Sequence, residues 1–427
     1  MRELVNNLWT HQDGGLTHMI GFGRKPRVCI VGGGFAGLNA AQQLKSSRYD
    51  VTVIDPSPHI EWLPNIHEII SGVKKGDELR LNRSILLRRH GHRFLMNRAV
   101  EMSSSFVKLD NGDKIPFDVC IVATGSVDNS FKIPGADRHV MPMKSVEQCQ
   151  AIAKRLHRVT LGHRTCRVAV VGGGIEGVEA FGEILRTYRD RPQFDFTIVD
   201  SAERLLSRCP GNLDGTIRRH TDRYRVDYLL GKSVEEVDAE GICFSDGTAL
   251  ESDLIIWSGG AAPNPFLTQS SLTQSPQEWA AVNGAFQSRN RENVFIIGDA
   301  AQPDGLDLSK QAFHAIDMGK VAAQNVDRLL AGKSLREFVP SNKPQLVTFG
   351  YLDTFMLFRD FALSSSVLGV AKEAIYTLGL LQMSPPKSAK DVLNSLDLLQ
   401  KSVRRVYLPA FNPLNLIDKL PKAKLLS

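Results

Sequence analysis

The chain has 427 residues, 42% of them hydrophobic and 23% charged, with a formal net charge of +6; this is an ordinary globular composition with room for two or three domains. No apolar run approaches the ~20 residues needed to cross a bilayer, and residues 1–26, interrupted by Glu3, His11, Asp13 and Gly14-Gly15, lack the apolar core of a secretion signal. Six cysteines (Cys29, Cys120, Cys149, Cys166, Cys209 and Cys243) include no C-x-x-C or other close pair, so their spacing offers neither a zinc knuckle nor a redox dithiol and points to a reducing, cytoplasmic setting.

After the N-terminal extension, "RVCIVGGGFAGLNAAQQL" begins at Arg27. It predicts a buried parallel strand, a tight glycine turn and a helix. "YDVTVIDP" is a second strand ending at Asp55. Strand, G-x-G-x-x-G, helix, strand and terminal acid are the dinucleotide fingerprint in its required context. Gly32 permits the turn, Gly34 lets a pyrophosphate approach the backbone, and Gly37 lets helix and strand pack closely. The anion would sit on the helix N-terminus.

The basic stretch "RLNRSILLRRHGHRF" (80–94) is expected to be a solvated helix face. "DNGDKIPF" carries hairpin turn chemistry and leads into "DVCIVATGS" (118–126), a strand ending in Ala123-Thr124-Gly125.

The fingerprint then returns. "RVAVVGGGIEGVEAFGEIL" begins at Arg167 and aligns Gly172, Gly174 and Gly177 with the first three glycines. "FDFTIVDSAERLL" supplies the following strand, ending at Asp200. "SDGTALES" repeats the hairpin signal, and "DLIIWSGGAAPNP" (253–265) is a strand ending in Ser258-Gly259-Gly260. "ENVFIIGDAA" (292–301) adds a buried strand that stops at Gly298-Asp299, where the aspartate alone would be read as the cap of the next helix.

The stretch 344–386 is aromatic and aliphatic. Residues 387–427 are rich in lysine and arginine, with Val392, Leu396, Leu399 and Val403 at helical spacing. Such an amphipathic segment suits an anionic membrane surface, the protein's own surface or a second copy in a homodimer. No aromatics interleave with the charges as a nucleic-acid platform would require.

Taken together, GGGFAG, Asp55, ATG, GGGIEGVE, Asp200, WSGG and GDAA resemble the two-dinucleotide-binding-domain flavoproteins. The resemblance is strongest to type II NADH dehydrogenases and to ferroptosis-suppressor and apoptosis-inducing-factor-like quinone reductases, over roughly residues 27 to 386. It implies an α/β fold with two Rossmann-like domains, the NAD domain inserted into the FAD domain, and a smaller α+β C-terminal region. The expected boundaries are 1–26 for the extension, 27–150 and 276–335 for the FAD domain, 151–275 for the NAD(P)H domain, 336–386 for the C-terminal region and 387–427 for the basic tail.

Carried over residue by residue, the resemblance places Gly32, Gly34, Phe35, Ala36 and Gly37 at the FAD pyrophosphate and Asp55 at its ribose. Ala123, Thr124, Gly125, Gly298 and Asp299 line the rest of the flavin. Gly172, Gly174, Ile175, Glu176, Gly177 and Gly259 hold NADH, with Asp200 at its ribose. Glu179, the acid of G-V-E, lies beside the nicotinamide as the catalytic candidate; without the family it is a first-turn surface acid. The activity implied is hydride transfer from NADH to flavin N5, then two-electron reduction of a quinone-like acceptor at a membrane surface, with no metal.

Asp200 favours NADH over NADPH by repelling a 2′-phosphate, although Arg204 stands nearby to receive one. The family's A-Q-x-A-x-Q acceptor helix aligns with "AFHAIDMGKVAA" (312–323), so Phe313 and Asp317 replace its two glutamines beside His314. That departure leaves open a protein electron carrier or a specialised aromatic compound as acceptor. A redox-signalling flavoprotein with little turnover also remains open.

Overall fold

The structure, a computed structural model, describes residues 24–386 except 163, 307 and 342, together with 392–393, 396–397, 399–400 and 424–426. The amphipathic helix expected after 387 therefore lies for the most part outside the described residues. In chain order, the first elements used below are β1 (Arg27–Val31), α1 (Phe35–Gln43), β2 (Asp50–Asp55), β3 (Arg93–Met96), β4 (Val119–Val122), β5 (Val140–Pro142) and β6 (Cys166–Val171). They continue with α2 (Ile175–Tyr188), β7 (Phe194–Asp200), β8 (Val226–Leu230), β9 (Leu254–Trp257), β10 (Val294–Ile296) and α3 (Ala312–Leu330). Last come β11 (Gln345–Phe349), β12 (Asp353–Leu357), β13 (Ala362–Ser364), α4 (Leu368–Met383) and β14 (Lys424–Leu426).

The chain divides into two units. The first comprises residues 1–60, 82–126 and 263–340. Its sheet is parallel throughout, in the order β10-β4-β1-β2-β3. The unbroken apolar runs of β1, β4 and β10 are buried on both faces, as a parallel sheet covered by helices demands. Helix α3 lies on α1 where Gly319 faces the backbone of Ala36 and Ala40; a Cβ there would stand 2.4 Å from Ala36 O.

The second unit comprises residues 61–81, 127–262 and 341–427. Its parallel sheet, β5-β9-β6-β7-β8, repeats the first sheet's arrangement around the second glycine turn. An antiparallel sheet, β11-β12-β13-β14, adjoins it within the same unit. Both sequence-predicted hairpins form, Phe106–Leu109 with Lys114–Pro116 and Gly241–Phe244 with Ala249–Glu251.

Two glycines bring the second unit's helices close to their neighbours. Gly182 of α2 meets the end of β11, where a Cβ would stand 2.4 Å from Gly350 N. Gly379 of α4 meets the Trp62 ring, where it would stand 2.1 Å from Cη2. The first approach draws Thr348, near the end of β11, onto α2, and the second seats α4 on Trp62, which leads into the 3-10 helix Leu63–Ile69.

Candidate functional site

The two glycine turns have matching geometry. Gly32 and Gly172 carry φ values of +100° and +114°, which a side chain resists. A Cβ at Gly37 or Gly177 would stand 1.9 or 1.8 Å from the carbonyl oxygen of Gly32 or Gly172. At Gly34 and Gly174, the residues preceding α1 and α2, a Cβ would meet no atom within 4 Å. Open space therefore faces each helix start, whose first-turn amides have no partner within the helix. No side chain caps either start among the described residues. Two open cradles of this kind fit two pyrophosphates.

The acids at the strand ends brace these turns. Asp55 Oδ2 accepts from Gly33 N at 2.8 Å, and its Oδ1 from Ser57 N at 2.9 Å. Asp200 repeats the pattern, accepting from Gly173 N and, at 2.7 Å, from Ala202 N. A carboxylate has about four acceptor sites, so both retain capacity for a ribose.

The basic stretch 80–94 departs from expectation at Arg83. That residue is buried, donates to Gly33 O at 2.7 Å and to Ser57 O, and lies 2.7 Å from Asp55 Oδ1. Arg88 and Arg89 remain exposed, as a solvated face requires. The burial of Arg83 follows from the acid and carbonyls around it, which replace its hydration.

Arg204 is likewise turned to the chain itself. Its guanidinium donates to the carbonyls of Ser207 at 2.8 Å, Cys209 at 3.1 Å and Gly211 at 3.3 Å.

Thr124 Oγ1, between Ala123 and Gly125, is buried without a hydrogen-bond partner in the structure. Asp299 does not cap the helix after it. It sits in a 3-10 turn, Gly298–Ala300, while α3 begins at Ala312 with Gln311 as its cap residue. Asp299 Oδ2 instead accepts from Ser126 Oγ at 3.3 Å. Lys310 donates to Asp299 O at 2.5 Å and lies 3.3 Å from the Trp279 ring centroid. Burial lowers the Lys310 amine to about 8, against the pull of Asp299. On α3, His314 is buried with its ring 4.1 Å from that of Phe313, while Asp317 is half-buried and 3.2 Å from Lys320 Nζ.

Glu179 departs most from a local reading. It is buried, one turn beyond Glu176, which is the exposed first-turn acid. Its Oε1 pairs with Lys372 Nζ of α4 at 2.5 Å and accepts from Thr348 N at 3.1 Å. Its Oε2 lies 3.6 Å from His67 Nδ1, and Lys372 Nζ lies 3.2 Å from His67 Nε2.

Burial pushes the Glu179 carboxyl upward against the pull of Lys372. Burial first, then Lys372, Lys74 and Arg186, hold His67 well below its ordinary value, so it is neutral at pH 7. His67 and Lys372 were not among the residues sequence reasoning selected. The available signal was charge inside apolar runs, "NIHEII" and "LGVAKEAIYTLGLL".

A family model described as pyridine nucleotide-disulphide oxidoreductase matches residues 26–319. The chain belongs to that family. This oxidoreductase is 25% identical over 378 residues to the type II NADH:quinone oxidoreductase of Haemophilus influenzae, covering 75% of this chain and 84% of that one. It is 27% identical over 361 residues to ferroptosis suppressor protein 1 of Xenopus laevis, covering 81% and 92%. Its fold is that of NDH2 from Plasmodium falciparum, a structure solved with NADH, at a TM-score of 0.78 and 17% identity over 90% of this chain and 99% of the other. FAD and a pyridine nucleotide are the cofactors of such a protein, and the two cradles and the orphaned Thr124 hydroxyl fit them.

The cysteines of this oxidoreductase are free thiols, five buried and only Cys243 exposed. The fold brings Cys29 and Cys120 opposite each other on β1 and β4, a pairing invisible to sequence spacing. Burial raises the Cys120 thiol well above its ordinary value, keeping it protonated and unreactive. A thiol reagent is expected to titrate one cysteine rapidly in the native protein and the other five only after denaturation. Rapid native labelling of two or more would contradict that assignment.

Proposed function

We propose that this chain is an FAD-dependent NADH oxidoreductase that reduces a quinone or quinone-like acceptor at a membrane surface. The observation that carries the reading is the double character of α4. Its inner face places Lys372 on Glu179 of the second glycine-turn helix, and its outer face leaves Ile375 and Leu378 at 55% and 64% exposure. A helix with charge inside and apolar side chains outside is inverted relative to a surface helix in water. It suits a boundary where lipid or an apolar acceptor meets a proton-handling centre. Val392 and Leu396, at 45% and 57% exposure, add exposed apolar side chains in the basic tail.

In this reading the first cradle, Gly32 to Gly37 with Asp55, Ala123, Thr124, Gly125, Gly298 and Asp299, holds FAD. The second, Gly172 to Gly177 with Asp200 and Gly259, holds NADH. The bound flavin supplies the chemistry of accepting a hydride and passing on two electrons. The chain's own part is to bind, orient and handle protons. First-turn amides hold the phosphates. Asp200 receives a ribose and repels a 2′-phosphate, and Arg204, engaged by three loop carbonyls, does not offset it. Glu179, Lys372 and neutral His67 hold exchangeable protons in a water-poor centre where a reduced acceptor needs one.

Anaerobic mixing with NADH is expected to bleach the flavin band rapidly, NADPH to do so poorly, and a short-chain quinone to restore the band. Bleaching that no quinone reverses would overturn the acceptor, and absence of a flavin band after FAD addition would overturn the cofactor site.

A further inference from the structure

Beyond Glu179, Lys372 and His67, the second unit buries further ionisable groups that the reaction above does not use. Glu68, Lys74, Glu183 and Glu373 are all but inaccessible. Lys74 Nζ lies 2.7 Å from Glu373 Oε2 and 3.1 Å from Glu68 Oε2. Glu68 Oε1 accepts from Asn65 Nδ2 at 2.6 Å and stands 4.0 Å from His67 Nε2. Asn65 is held in turn by Trp62 Nε1 at 3.0 Å.

On the α2 side, Glu183 accepts from Ser71 and pairs with Arg186 Nε at 3.2 Å. On the α4 side, the Tyr376 ring covers Lys74 at 4.4 Å, and its hydroxyl donates to Glu78 O at 2.6 Å. The charges acting on Glu373 come from Glu68 of the 3-10 helix Leu63–Ile69, Lys74 of the following loop and Lys372 of α4 itself, and the cluster extends through His67 and Lys372 to Glu179, Glu183 and Arg186 of α2.

Four carboxylates, Glu68, Glu179, Glu183 and Glu373, stand against three cations, Lys74, Lys372 and Arg186, with His67 neutral. Fully ionised, the cluster carries one uncompensated negative charge away from water, which is strongly unfavourable. Holding a single proton makes it neutral.

We propose that the Glu68–Lys74–Glu373 triad is a proton store, with Glu373 the resting place of that proton and Lys74, Glu68 and His67 its route to the Glu179–Lys372 pair. The inference rests on the reaction proposed above. In NADH + H⁺ + quinone → NAD⁺ + quinol, the nicotinamide is oxidised, the quinone is reduced, and one proton per turnover comes from solution. The O–H bond of the Glu373 carboxyl breaks as an O–H bond forms on the quinol, the intervening groups each passing on one proton. Water then returns a proton to Glu373. Glu373 acts through others and is a positioning residue, not a catalytic one. Burial and Glu68 raise its carboxyl to about 7, against Lys74 and Lys372, so the store is poised to fill and empty near neutrality.

The test is an infrared pH titration of the flavin-loaded full chain, with Glu373→Gln for comparison. The wild type is expected to show the carbonyl stretch of a protonated buried carboxyl group that disappears as pH rises through about 7, and Glu373→Gln to lack it. Quinone turnover by the wild type should decline over the same interval. In Glu373→Gln it should be about tenfold slower at pH 6 and show no such decline, with NADH KM and flavin bleaching by NADH within about twofold of wild type. A wild type without the band, a band that persists in Glu373→Gln, or an unchanged pH profile would each overturn the proposal. A wild type that shows the band and reduces no quinone at any pH would overturn the reaction and the relay together, leaving only the buried acid.

Discussion

A Gly174→Val variant is expected to keep its fold and its flavin and to lose its response to NADH. Gly174 has extended backbone that any residue can adopt, and a Cβ there meets no protein atom within 4 Å. The folding cost is therefore small, within about 1 kcal/mol for a poorer helix-start residue. The same open space is where a pyrophosphate must approach the backbone, so added methyl groups displace the ligand. Flavin bleaching at fixed, subsaturating NADH should slow by roughly 100-fold or more, while thermal melting and the flavin band stay near wild type. Gly177→Val provides the contrast. Its Cβ would stand 1.8 Å from Gly172 O, so loss of folding rather than loss of NADH response is the expected result. Normal bleaching by Gly174→Val would remove the second cradle from the mechanism.

The second large effect falls on the Glu179–Lys372 pair. Glu179→Gln removes the carboxylate bonded to the Lys372 ammonium, which then faces neutral His67, and Lys372→Met removes the ammonium bonded to the Glu179 carboxylate. Breaking a buried pair from one side costs about 3–5 kcal/mol. Each single variant should therefore lower the denaturant midpoint sharply. The double variant, Glu179→Gln with Lys372→Met, should recover most of the loss, because removing one charge of each sign leaves the balance of the buried cluster as it was. Quinone turnover behaves differently and should fall by about 10²–10⁴-fold in all three. Stability restored without activity separates the structural from the chemical role of the pair. Additive destabilisation in the double variant would show that the two groups do not depend on each other.

Much of this protein is written locally. The glycine turns were legible because a positive φ, a close helix–strand approach and an open phosphate cradle each leave glycine as the fitting residue, and the chain presents all three twice. The strands were legible because a parallel sheet covered on both faces needs unbroken apolar runs, such as "VCIV" and "LIIW". The hairpins followed from their Asp-Gly and Asn-Gly turns. In each case the deciding interaction spans a few residues, so its signature survives in a short window.

What the tertiary structure decided depends on residues far apart in the chain. Glu179 is a surface acid by its helix position, yet Lys372, 193 residues away, sits against it and makes its burial tolerable. Arg83 belongs to a basic stretch by sequence, yet Asp55 and two carbonyls draw it inside. Asp299 stands before a helix in the sequence order but is separated from it by a strand and a loop. A buried charge is stable only beside its partner, and no spacing rule within one segment encodes a partner on another. The sequence by itself determined two dinucleotide folds and their cradles. Tertiary packing alone decided which charges are buried together.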